Sequence, residues 1–303
     1  MSAAKSNRSA LAEAKTISLG LPDLLIEAHR VAATVLAGWH GRRTSGRGEA
    51  FWQFRPFVSG DPANTIDWRR SARDDHLYVR EKEWEAVHTV WLWQDRSPSM
   101  NFKSRLAMVA KQQRAAVLTL ALGELLAAAG ERVGLLGTGQ PILARNAAEK
   151  LALHMAASDS APSEPDTMAV RRFSDVVLIS DFLDPASEII ATLEALARTG
   201  AQAHLIQIAD PAEESFPYTG RTEFRDPENG MRHIVSRAEQ YRADYVAELA
   251  GLRDHLRGFC RRLGWSFIIH RTDRPATEPI LHLYTRLADR KAFVGTPPGS
   301  RAA

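Results

Sequence analysis

The sequence predicts an α/β fold: a doubly wound, mostly parallel sheet flanked by helices, with an N-terminal helix and an irregular arm. From Val87 onward, short runs rich in β-branched and aromatic residues alternate with helical patterns, which calls for parallel strands joined by crossover helices. Two of these runs, Val87 to Gln94 and Asp175 to Ser180, lead directly into an aspartate, and a helical pattern follows each. A chain of 303 residues with 45% apolar composition can bury one large core of this kind plus an appendage.

Taken in order, residues 1–16 are small and polar and are expected to be disordered. From Leu21 to about His40, Leu24, Leu25, Ala28, Val31, Ala32 and Leu36 recur at helical spacing. The glycine-rich stretch Gly41 to Gly48 ends that helix; without a G-K-[ST] ending or a preceding strand it is no phosphate loop. Residues 49–85 hold aromatics, prolines and paired charges without a period, and read as an irregular arm packed against the sheet. Trp52 and Trp68 are its expected anchors, with Arg55, Asp61, Asp67 and Arg73 in internal ion pairs. Strands are predicted near 87–95, 132–137, 141–145, 175–181, 203–209 and 265–271. Helices are predicted near 103–129, 146–157, 185–199, 237–263 and 277–290. The turn Asp226-Pro227-Glu228-Asn229-Gly230 joins two short polar strands in a hairpin. The expected organisation is a tail at 1–16, helix and arm at 17–85, the main domain at 86–292, and a flexible tail at 293–303.

Composition narrows the function classes. No apolar run reaches the ~18 residues that cross a bilayer, and no signal-peptide pattern opens the chain, so a cytoplasmic protein is expected. Cys260 is the single cysteine, which excludes internal disulfides and cysteine metal sites. No H-x-x-H or H-E-x-x-H pair occurs among the ten histidines. The formal charge of +3 is a mild excess. Arg69, Arg70, Arg73 and Arg80, and the helical series Arg253, Arg257, Arg261 and Arg262, are read as solvated or internally paired faces rather than nucleic-acid surfaces.

The chemistry-bearing segment is Asp95-Arg96-Ser97-Pro98-Ser99. In extended chain, side chains at i, i+2 and i+4 share one side, so one carboxylate and two hydroxyls converge. Magnesium takes such oxygen ligands and keeps open positions where few charges are supplied. Asp181, at the end of the strand 175–181, would face the same crevice beyond the carboxyl ends of the strands. Helix capping by Asp95, Ser99 or the Asp181–Asp184 segment is the alternative use of these residues.

The D-x-S-x-S sequence with Ile179-Ser180-Asp181 resembles the metal-ion-dependent adhesion site of von Willebrand factor A domains. Phe54-Arg55-Pro56-Phe57-Val58-Ser59-Gly60-Asp61, Ile66-Asp67-Trp68, Ser71-Ala72-Arg73 and Leu77-Tyr78-Val79-Arg80-Glu81 resemble the signature of the bacterial family called domain of unknown function fifty-eight. Ile208 to Glu213 and the Asp226–Gly230 turn are also similar to it. The family pattern has a second aspartate where Pro62 stands and arginine where Asn64 stands. The resemblance implies a von Willebrand factor A-like, Rossmann-type domain with Mg2+ or Mn2+ held by Ser97 and Ser99 directly and by Asp95 and Asp181 through water. Thr167 is the threonine available from the middle loop. It also implies a protein-binding role, with a client or partner supplying an Asp or Glu to the metal, and a MoxR-type AAA+ ATPase as partner. The chain has no G-x-x-x-x-G-K-[ST] of its own. Magnesium-dependent phosphoryl transfer is the alternative, but position 97 is serine where such enzymes place a second acid, and no histidine lies beside either strand end.

Overall fold

The computed structural model describes residues 21–38, 51–58, 61, 66–73, 76–82, 88–138, 140–157 and 165–294. The expected tail at 1–16, the break at 41–48 and residues 295–303 lie outside them. The chain divides into two compact units, Trp39–Val87 and the remainder.

In chain order the elements are helix α1 (21–38), strand β1 (Phe51–Pro56), helix α2 (Trp68–Ser71), β2 (Tyr78–Lys82) and β3 (Thr89–Gln94). After a 3₁₀ turn at Pro98–Asn101 come α3 (Lys111–Ala128), β4 (Arg132–Leu135), α4 (Ala147–Ala157), β5 (Asp175–Ser180) and α5 (Ala186–Arg198). Then follow β6 (Gln202–Ala209), α6 (Pro211–Ser215), β7 (Thr222–Arg225), β8 (Arg232–Val235), α7 (Arg242–Leu263), β9 (Ser266–Arg271) and α8 (Thr277–Val294).

The larger unit is built on a five-stranded sheet in the order β4-β3-β5-β6-β9, with every neighbouring pair parallel. Both faces are covered, as an all-parallel sheet requires. Alternation along β3 assigns the faces: Val90 and Leu92 enter a core shared with α1, α3, α4 and α8, while Trp91 and Trp93 enter a second core with α5 and α7. Trp91 is paired in register with Gly134, and a Cβ added at Gly134 would stand 2.6 Å from the indole, so only glycine lets β4 carry that ring.

In the smaller unit, β1 and β2 pair antiparallel with an irregularity between Phe51 and Gln53. The Arg70 guanidinium lies 5.9 Å from the Phe54 ring and 5.1 Å from Tyr78. Trp68 is 64% exposed and so does not serve as the expected anchor. The Asp67 carboxylate caps α2, accepting Arg70 N–H at 2.9 Å, and the Asp61 carboxylate accepts Val58 N–H at 2.9 Å.

Two predicted elements are corrected in the larger unit. The helix expected from 103 starts only at Lys111, because Ser104 N–H is turned to the Asp210 carboxylate at 2.8 Å instead of into a helical ladder. The strand expected at 141–145 is a single antiparallel bridge between Ile142 and Val133. No helix among the described residues is long and apolar enough to cross a membrane.

Candidate metal centre

Three adjacent parallel strands, β3, β5 and β6, run into Asp95, Asp181 and Asp210. From β3 the chain first builds outward to β4 and then returns to lay β5 on the other side. The order therefore reverses between β3 and β5, and ligands of open α/β sheets sit beyond the carboxyl ends at such a reversal. Asp95 and Asp181 flank that point, each 3% exposed or less.

The local sequence holds both carboxylates in fixed orientation. Asp95 Oδ1 accepts Ser97 N–H at 2.8 Å and its Oδ2 accepts the Ser180 hydroxyl at 2.6 Å. Asp181 Oδ1 accepts Leu183 N–H at 3.2 Å, and its Oδ2 accepts the Ser99 hydroxyl at 2.9 Å. The Ser97 and Ser99 hydroxyl oxygens are 3.0 Å apart. Phe182, immediately after Asp181, has φ of 49°, a conformation that costs a non-glycine residue about 1–3 kcal/mol and concentrates at functional sites. The capping alternative does not describe these residues: α3 is preceded by Ala110 and α5 by Pro185, neither with a side-chain cap.

The donor set fits a hard divalent cation. Ligands at roughly 2.0–2.1 Å in an octahedron place neighbouring oxygens about 2.9 Å apart, close to the Ser97–Ser99 hydroxyl separation of 3.0 Å. The surroundings are rich in negative charge. Burial, followed by the carboxylates of Asp95, Asp181, Glu228 and Glu188, holds the Asp184 carboxyl above the usual aspartate range. Among the described residues no three His, Cys, Asp or Glu side chains converge as a metal site by themselves.

A buried cation is already built in beside them. Lys111 Nζ, 1% exposed, donates to Asp181 Oδ2 at 2.7 Å and to Glu213 Oε1 at 2.5 Å. Burial works against its charge, but the Asp181 and Glu213 carboxylates more than offset this and hold its pKa above the usual lysine value. A phosphate-binding lysine needs a free ammonium, and this one is engaged by two carboxylates.

Of the residues expected from sequence, the fold brings together Asp95, Ser97, Ser99 and Asp181. Thr167 is half-buried beside the undescribed 158–164 segment, and no hydrogen bond among the described residues joins its hydroxyl to the cluster. Lys111, Ser180, Asp184, Glu213 and Glu228 surround the centre without having been singled out as ligands. Lys111 stands in the first turn of α3, where a positive charge opposes the helix dipole and calls for acidic partners; the helix expected from 103 placed it mid-helix, so the sequence carried no such signal.

Residues 53–255 match the family described as Protein of unknown function DUF58. The chain belongs to this family. Relatives of this DUF58 chain include uncharacterized protein Rv1480 of Mycobacterium tuberculosis and uncharacterized protein Mb1516 of Mycobacterium bovis. Each is 27% identical over 257 residues, spanning 79% of this chain and 80% of the relative. Similar solved structures are a conserved hypothetical protein BatB from Bacteroides thetaiotaomicron and an aerotolerance-related membrane protein from Bacteroides fragilis. The first is 13% identical, with a TM-score of 0.34 over 67% of this chain and 99% of that one. The second is 16% identical, with a TM-score of 0.38 over 66% and 99%.

Behind the centre of this DUF58 member runs a polar relay. Gln207 on β6 donates to the Asp181 carbonyl at 2.8 Å and accepts from Arg253 Nε at 2.8 Å. Arg253 also pairs with Glu214 at 2.8 Å, and Arg257 pairs with Asp254 at 2.7 Å. These two members of the basic series on α7 are internally paired.

Proposed function

We propose that this DUF58 chain is a metal-dependent protein-binding module with an adhesion-type site of the von Willebrand factor A kind. The observation that carries the reading is the pair of hydroxyls of Ser97 and Ser99, 3.0 Å apart between two buried carboxylates at the sheet's reversal point. Magnesium or manganese, when bound there, supplies an electrophilic position open to an anionic side chain. Ser97 and Ser99 bind it as neutral donors, and Asp95 and Asp181 compensate its charge from behind. Ser180 and the Ser97 N–H fix the Asp95 carboxylate, so the site is preorganised rather than assembled on binding. Exclusion of water at the contact would strengthen attraction to an incoming Asp or Glu, because the effective dielectric falls.

The partner class suggested by the family resemblance is a MoxR-type AAA+ ATPase acting in the cytoplasm, with this chain as adaptor between it and a client protein. Affinity capture of that ATPase with and without Mg2+, using wild type and the Ser97→Ala, Ser99→Ala double variant, tests the reading. Retention that needs both the metal and the serines supports it. Capture indifferent to both would overturn it.

A further inference from the structure

The β7–β8 hairpin brings a carboxylate to the same centre from within the chain. Glu228 Oε1 accepts Ser99 N–H at 2.9 Å, a contact between residues 129 apart in sequence. The hairpin does not need this carboxylate for its own turn. Asp226 N–H donates to the Met231 carbonyl at 2.8 Å and Gly230 N–H to the Asp226 carbonyl at 2.9 Å. The Asp226 and Asn229 side chains accept Glu228 N–H and Met231 N–H, each at 2.8 Å.

Among the described residues the two strands pair only with each other, and their base is secured by an aromatic cluster. The Phe216 ring lies 5.7 Å from Phe224 and 5.0 Å from Tyr245, with Val235 and Ala238 buried beside it. Base and tip thus have different anchors: apolar packing below, and at the tip an exposed glutamate on one backbone N–H. That glutamate also stands near enough to Asp184 for its charge to help hold the Asp184 carboxyl above the usual range, a placement that like charges oppose and the Ser99 N–H must offset.

We propose that Glu228 is an internal stand-in for the partner's acidic side chain. It occupies the anion position at Ser99 N–H while the protein is alone. A partner's aspartate or glutamate takes its place and frees the hairpin tip. This deepens the reading of the site as a carboxylate-receiving metal centre and rests on it.

The test is an NMR titration of the full chain followed at the Ser99 amide. Glu228→Ala should move that amide upfield, through loss of its charged acceptor, and Glu223→Ala on the same hairpin should leave it in place. A synthetic peptide of residues 225–232 is then added in trans, with and without Mg2+. It should return the amide toward its wild-type position in Glu228→Ala and shift it less in wild type, where the tethered carboxylate competes. The same peptide with Gln for Glu should do nothing. A Ser99 amide unmoved by Glu228→Ala, or no rescue by the peptide in either condition, overturns the inference whatever the metal does. Calorimetry of the wild type with Mg2+ is read separately: absent binding overturns the metal reading, and the metal-free peptide arm still decides the role of Glu228.

Discussion

At the scale of single residues, the centre is a balance between hydroxyls that suit a divalent cation and a lysine that already neutralises part of the charge. Removing the lysine strands two carboxylates. Lys111→Met is expected to destabilise the fold by about 3–5 kcal/mol, the usual result of taking one partner from a buried ion pair. Urea unfolding at neutral pH checks this, and a change under 1 kcal/mol would show that Asp181 and Glu213 are not held by it. Asp95→Ala strands a smaller group, the Ser180 hydroxyl, and is expected to cost about 1–3 kcal/mol while circular dichroism keeps its native form. Asp95, Ser97, Ser99 and Asp181 were legible in sequence as polar residues at two strand ends, but the extended spacing expected for 95–99 gives way to the 3₁₀ turn Pro98–Asn101, and the pairing of β3 with β5 brings Asp181 beside them. Lys111, Glu213 and Glu228 were not, because each arrives from an element whose placement depends on tertiary packing. The Ser99–Glu228 contact, for instance, spans 129 residues.

At the scale of elements, β3 shows how composition becomes geometry. Its alternation of aliphatic and tryptophan side chains feeds two cores, and the Trp91 ring lies over the backbone of β4. Gly134→Ala would press a methyl to 2.6 Å from Trp91 Cζ3 and 3.3 Å from the Pro141 backbone. A rigid ring and a backbone cannot both yield, so a loss of about 1–3 kcal/mol is expected from overpacking, and an unchanged melting temperature would contradict this packing. Strands and helices of the larger unit were legible because hydrophobic period separates them clearly. The helix expected from 103 was misjudged for a physical reason: Leu106 and Val109 continue the apolar pattern, yet Ser104 N–H is committed to Asp210 and the chain turns until Lys111. The arm's aromatics gave no period from which to foresee that Trp68 would be exposed.

At the scale of the whole molecule, buried groups set how stability depends on pH. Burial, with Arg114 nearby, pushes His270 on β9 down to about 3, against an ordinary value of about 6.5. Between these values the unfolded chain binds a proton that the folded chain refuses. Stability therefore rises with pH across this window, and His270 withdraws up to about 1.4 kcal/mol per unit as pH falls from 6.5 toward 3. Above 7 it contributes no slope. Denaturation of wild type and His270→Phe across this range should show the variant less acid-sensitive, and parallel curves would contradict the assignment. The central claim, that Ser97 and Ser99 form a working cation site between Asp95 and Asp181, is tested most directly by calorimetric titration of Mg2+ and Mn2+ into wild type and the Ser97→Ala, Ser99→Ala double variant. The account predicts saturable binding at one site in the wild type, lost in a double variant that keeps its fold; no binding to the wild type, or equal binding to both, would contradict it.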